Sequence, residues 1–137
     1  MSKDRSFSTA IHILAMLAYR HPDQLSSETM AIGLRTNPGL VRRTLLKLSA
    51  KGLIATSKGK GGGSQLAKPP SKISLEDIYL AVKEGPIFGS FDKEPFELCK
   101  VSCSMGSVLA NIYDELEQDM MVKMRKIKLT KVISDIG

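Results

Sequence analysis

The sequence predicts a mainly helical fold with one small two-stranded wing: a winged helix-turn-helix followed by a long C-terminal dimerisation helix. Three observations predict it. A short helix, a turn of about three residues and a longer helix follow one another between Ser26 and Gly52. A glycine-rich hairpin comes directly after them, from Leu53 to Ala67. Between Met105 and Ile127 the apolar residues then recur at helical steps of three and four. The expected organisation is a winged-helix domain over 1–84, a loop over 85–103 that is a candidate sensing region, and the dimerisation helix with a terminal helical turn over 104–137.

Phe7, Ile11, Leu14, Ala15 and Ala18 lie at helical spacing, so the first helix covers about 6–19 and ends at His21-Pro22-Asp23. Ser26 is the expected N-cap of the second helix, with Leu25 and Met30 as a hydrophobic staple around it. Asn37-Pro38 is an N-cap followed by proline at the first helical position, which starts a third helix that Gly52 closes. Leu53–Ser57 and Gln65–Ala67 are two short strands joined by Lys58-Gly59-Lys60-Gly61-Gly62-Gly63-Ser64. That loop is not a phosphate-binding P-loop, because its lysines precede the last glycines and no helix follows. Pro69-Pro70 leads into a capping-box-like Ser74-Leu75-Glu76-Asp77 and a fourth helix ending near Gly85-Pro86. Residues 85–102 lack helical periodicity and hold Phe88, Phe91, Phe96 and Cys99. The last large element is expected from about Ser104 to Lys128, with Met105, Leu109, Ile112, Leu116, Met120 and Met124 on one stripe. Such a stripe needs a cover, and a second copy of the same helix is the economical one.

Charge is distributed unevenly. Residues 1–72 hold 12 Lys and Arg against 3 Asp and Glu, while residues 73–137 hold 8 against 11. The stretch 35–72 has nine bases and no acid. Folded surfaces normally mix signs, so a one-sign block points to a polyanion, most often nucleic acid. On a helical wheel Val41, Leu45 and Leu48 face inward, which puts Arg43 opposite with Arg42 and Lys47 on the flanks and Gly39 exposed near the start. Arginine at the front of such a helix reads guanine or holds phosphate. Asn37 has two readings, cap and adenine reader, and the cap is the simpler. Lys58 and Lys60 suit phosphate or minor-groove contact, and Ser26 and Ser27 place helix-start amides where a phosphate can meet them.

Other chemistries are poorly supported. His12 and His21 have no ligand-spaced partners, and Met120, Met121 and Met124 read as soft core. No nucleophile sits in a recognisable relay, so the chain is not expected to be an enzyme. The longest apolar run, Ile13 to Tyr19, is too short to span a membrane. Asp4 and His12 interrupt what would otherwise resemble a secretory leader. With two cysteines and no disulfide framework, a cytoplasmic setting is expected.

Thr36-Asn37-Pro38-Gly39-Leu40-Val41-Arg42-Arg43, the helix exit Lys51-Gly52-Leu53-Ile54 and the wing Ser57-Lys58-Gly59-Lys60-Gly61-Gly62-Gly63 together resemble the Rrf-two family of bacterial transcription regulators. The order of elements agrees over nearly the whole chain. The resemblance implies a dimeric winged-helix protein, its long helices crossing the dyad, that usually represses genes by binding imperfect palindromes. Some members of that family sense through an iron–sulfur cluster held by three cysteines in the loop before the long helix. Only Cys99 and Cys103 are present here, too close together to match that spacing, and Cys103-Ser104-Met105-Gly106 resembles the cluster-free subgroup.

The expected function is therefore sequence-specific binding of double-stranded DNA by a homodimeric regulator. The expected DNA contacts are Ser26, Ser27, Asn37, Gly39, Arg42, Arg43, Lys47, Lys58 and Lys60. A winged-helix module that binds protein or RNA is the alternative. No metal, cluster or membrane partner is expected, and the effector is not legible. Cys99 and Cys103 are candidate redox thiols: a helix starting near Cys103 would favour its thiolate, whereas a buried free cysteine is ordinarily a small hydrophobe.

Overall fold

The computed structural model describes residues 5–89 and 94–137. Phe91, which the sequence places in the loop before the long helix, lies outside the described residues, as do Asp4 and the residues before it. Helices α1 (Ser6–Tyr19), α2 (Ser27–Leu34) and α3 (Pro38–Ala50) are followed by strands β1 (Ile54–Ser57) and β2 (Gly63–Leu66) and a short 3-10 turn (Pro70–Lys72). Then come α4 (Leu75–Val82), α5 (Lys100–Lys126) and α6 (Leu129–Ile136).

The first three helices start and stop for local reasons. Ser26 caps α2, its hydroxyl oxygen accepting from the Thr29 amide at 3.1 Å. The α2 C-cap, Arg35, takes the left-handed conformation (φ 55°), which reverses the chain toward Asn37. Asn37 Oδ1 then accepts from the Leu40 amide at 2.8 Å and caps α3, with Pro38 at the first helical position. Behind these helices Ile13, Leu14 and Leu17 of α1 meet Met30 of α2 and Val41, Leu45 and Leu48 of α3, all buried. Each such side chain contributes about 1.5–3 kcal/mol by leaving water.

Strands β1 and β2 pair antiparallel, Ile54 with Leu66 and Ser57 with Gly63. The hairpin is anchored beside its turn, where Leu25 and Ser64 exchange backbone hydrogen bonds of 3.0 and 2.9 Å. Gly63 makes that approach feasible, because a Cβ there would sit 2.7 Å from the Leu25 carbonyl oxygen. β2 thus starts two residues earlier than the sequence indicates.

The chain returns to this core at its end. Leu129 N–H donates to the Ile73 carbonyl at 2.8 Å, and Leu75 N–H donates to the Ile127 carbonyl at 2.9 Å. Arg125 grips Glu76 with two nitrogens, at 2.7 to 3.1 Å. The guanidinium holds the Glu76 carboxyl below its ordinary value. Ser74 and Asp77 complete a capping box on α4. Residues 124–137 accordingly group with 1–83 as one compact unit, and 84–123 form a second. Where the sequence puts 104–137 in one segment, α6 instead closes the winged-helix core through Leu129, Val132 and Ile133.

In the second unit Phe88 stacks on Tyr113, ring centres 4.8 Å apart. α5 begins at Lys100 rather than near Ser104. Its first turn, Lys100–Cys103, is polar apart from Val101, so the apolar period starting at Met105 does not reveal it. Cys99 fills the position before that turn, its sulfur accepting from the Ser102 amide at 3.4 Å. With 27 residues α5 is about 40 Å long. Its apolar stripe is bare in a single chain, with Ile112 at 43% and Leu116 at 48% exposure. Met105, Leu109 and Met120 are half-buried, whereas Met124 is already buried by its own chain.

Candidate nucleic-acid interface

The polar face of α2 and α3 and the wing share one surface. A groove of about 510 Å³ runs between them, lined among others by Ser26, Ser27, Arg42, Ser57 and Lys58. Arg43 is exposed on α3 and, among the described residues, forms no ion pair. It is the cation best placed for an external anion. Gly39 sits beside it: a Cβ there would lie 3.1 Å from Asn37 Oδ1 and 3.8 Å from Arg43 Nη1. A side chain there would therefore press on the Asn37 cap and touch the guanidinium at ordinary contact distance.

The other expected contacts are not equivalent. The Asn37 side-chain oxygen is engaged in the cap, so its role in this structure is to start α3. Arg42 Nη1 lies 3.3 Å from Glu28 Oε1, tying α3 to the first turn of α2. Both partners are exposed, so the pair is weak and exchangeable for a phosphate. Lys47 is half-buried on the flank of α3. Lys58 and Lys60 are exposed on the wing, where Gly59 (φ 93°) and Gly61 (φ 80°) permit the tight tip.

Sequence reasoning missed three features of this surface. Among the described residues Glu28 is the acid that pairs with these bases, and the helix-turn-helix geometry alone brings it to Arg42, 14 positions away. Ser49 and Thr56 also line the groove. Gln24 donates to the Ser57 hydroxyl at 3.2 Å, binding the wing to the segment before α2. The run of exposed Ala55, Thr56 and Ser57 in β1 was the available signal for a strand with a solvated face. An electropositive helix start beside a basic hairpin is suited to hold phosphates and reach base edges.

Comparison with known proteins gives the family and the fold. The family model described as Rrf2, iron-dependent transcriptional regulator, matches residues 4–135. YwnA of Bacillus subtilis, a candidate HTH-type transcriptional regulator, is 30% identical over 129 residues, which is 94% of this chain and 92% of that protein. A candidate transcriptional regulator from Lactobacillus plantarum has the same fold, with a TM-score of 0.81 at 20% identity over 96% of this chain and 89% of that one. CymR, the global cysteine regulator of B. subtilis, superposes with a TM-score of 0.67 at 17% identity, covering 98% and 97% of the two chains.

The family description raises iron, and the donors on this chain can be tested against it. Cys99 Sγ accepts from the Ser102 amide, and the Cys103 thiol faces the Phe96 and Glu97 carbonyls at 3.5 and 3.7 Å. Both sulfurs already have partners within the chain. Among the described residues, no three His, Cys, Asp or Glu side chains converge. Two thiols one helical turn apart supply half of a cluster's usual four ligands, so these residues do not fit a cluster held within one chain.

Proposed function

The chain belongs to the Rrf2 family and is a DNA-binding transcriptional regulator, and we propose that it works as a homodimeric repressor of imperfectly palindromic operators. The observation that carries this reading is the shared cationic face of α3 and the wing. In it, the start of α3 enters the major groove, with Arg43 at a base edge or phosphate. Lys58 and Lys60 hold the adjacent backbone, and Ser26 and Ser27 offer their helix start to a phosphate. Arg42 exchanges Glu28 for a phosphate as the duplex arrives.

The bare stripe of α5 supports the homodimer, since Val108, Ile112 and Leu116 are each more than two-fifths exposed in one chain. A two-fold dimer would present two α3 helices to half-sites about one helical turn apart. In this reading the protein is non-enzymatic, cytoplasmic and free of an iron–sulfur cluster. Among the described residues, no helix is long and apolar enough to cross a membrane.

The test is selection of genomic DNA fragments by the purified protein, followed by binding to the enriched and shuffled duplexes over a range of salt. The reading requires a recurrent near-palindrome, discrimination against the shuffled duplex and a steep salt dependence. Equal binding to all duplexes, or preference for RNA, would replace it with the RNA- or protein-binding alternative. Iron and sulfide analysis after anaerobic purification tests the cluster separately.

A further inference from the structure

We propose that the cavity between α1 and α2 binds a small amphipathic organic anion, an apolar body ending in a carboxylate, and that this ligand tunes DNA binding. The cavity holds about 420 Å³, within the usual range for small-molecule sites. Its walls are largely carbon, from Ala15 and Met16 of α1 with Leu25 and Met30 at the start of the helix-turn-helix, and Thr29 adds a hydroxyl. Its mouth is rimmed by large apolar side chains left in water, Tyr19 at 61% exposure, Ile32 at 78% and Ile136 at 59%. A cluster of this kind around a concavity marks a binding surface rather than scattered surface hydrophobes.

The charges of the lining indicate the ligand's polar end. His12 and Arg20 are its bases, and among the described residues no acid lines it. Arg20 has one ion pair, with Asp23 at 3.9 Å, both side chains more than half exposed. So long and solvated a pair is easily exchanged for a ligand carboxylate, which an arginine can hold through two parallel hydrogen bonds. The cavity is also adaptable. Gly33 has no side chain, and the Met16 methyl group lies over it, where a Cβ would collide. A thioether that fills space by default can swing aside for a ligand.

Coupling to DNA follows from shared walls. Met30 of α2 is fully buried, and Leu25 bridges to Ser64 beside the turn of the wing. A ligand between α1 and α2 therefore bears on the two anchors that set α3 and the wing. It changes operator affinity if it prefers one arrangement of them. This coupling rests on the DNA-binding reading; the ligand site does not.

The test is calorimetric titration of the full chain with decanoate below its micellar concentration, beside decanol and decylamine. Decanoate is expected to bind once per chain, about tenfold more tightly than decanol, with decylamine weaker still. Arg20→Gln should bring decanoate down to the level of decanol, and Gly33→Leu should abolish binding of both by filling the cavity. Operator affinity should change severalfold with saturating decanoate in wild type and not in Gly33→Leu. Equal affinity for decanoate and decanol, or an unchanged Arg20→Gln, would overturn the anion site. Binding seen only in the dimer-breaking Leu116→Glu protein would overturn it too, by showing that a second copy covers the cavity. Binding with no effect on DNA would overturn the coupling. A ligand-free protein that ignores every operator would sink the regulator reading and leave the anion site standing.

Discussion

Arg43 and Lys60 are both exposed cations on the proposed DNA-binding surface, yet their positions predict different losses. Arg43→Ala is expected to lower operator affinity by about 1–3 kcal/mol, if its contact is to a base, and to relax sequence preference at one position of the site. Lys60→Ala, on the wing tip, should weaken operator and shuffled DNA alike and make the salt slope shallower. Titrations of both duplexes at several salt concentrations separate the two, and wild-type binding by both variants would refute the docking geometry. Glu76 belongs to stability instead. Arg125 hydrogen-bonds its carboxylate and holds its pKa below the ordinary value, so the unfolded chain binds the proton more readily than the folded one. The pair's contribution is therefore complete above the ordinary carboxylate value and is lost as pH falls below it. Glu76→Gln should melt at lower temperature near neutrality and show a smaller loss between neutral pH and about pH 3. Melts of both proteins across that range check it, and parallel curves would remove Glu76 from the acid sensitivity.

At the scale of elements, the wing and α5 each depend on one local feature. Gly63 lets β2 lie against the Leu25 backbone, and a methyl group there meets that backbone directly. Gly63→Ala should cost about 1–3 kcal/mol in denaturant unfolding. It should also reduce DNA binding through a displaced wing. α5 carries its apolar stripe at Ile112 and Leu116 into solvent in one chain. Leu116→Glu sets like charges together in a two-fold interface and should give a monomer by sedimentation, with operator binding lost as well. Wild-type protein sedimenting as a monomer at micromolar concentration would refute the dimer. Met124 is excluded from that test because its own chain buries it.

For the whole molecule, a signal must reach the proposed DNA-binding face. The thiols offer one test. Cys103 is exposed, and Cys99, half-buried, stands before the first turn of a helix that the sequence starts near Cys103. Peroxide would take one thiol to a sulfenic acid with loss of water, and attack by the other would release a second water and leave a disulfide. If the pair signals, peroxide changes operator binding in wild type and leaves Cys103→Ser unmoved. Equal responses would reduce both thiols to packing. This route and the anion cavity lie in different units of the chain, so each can be scored without the other.

The sequence by itself determined the elements and their order, because caps, turn glycines and apolar periods act over a few residues. Ser26, Asn37 with Pro38, Ser74 with Asp77 and the wing glycines can all be read that way, and so can the one-sign charge of 35–72. It also ranked Asn37 as a cap, because Asn followed by Pro is a helix-start signal, and in the structure its oxygen accepts from the Leu40 amide. Tertiary structure alone decided which residues meet across long separations. Glu28 reaches Arg42, Arg125 reaches Glu76 49 positions away, Leu25 joins the wing, and α6 folds back onto the winged-helix core. The start of α5 at Lys100 was hidden for a related reason: a polar first turn has no apolar face to betray it, and its cap is a cysteine sulfur rather than the usual oxygen. Helical hydrogen bonds and hydrophobic period are local and leave a pattern in the chain, whereas cavities and ion pairs between distant segments form only when packing brings those segments together.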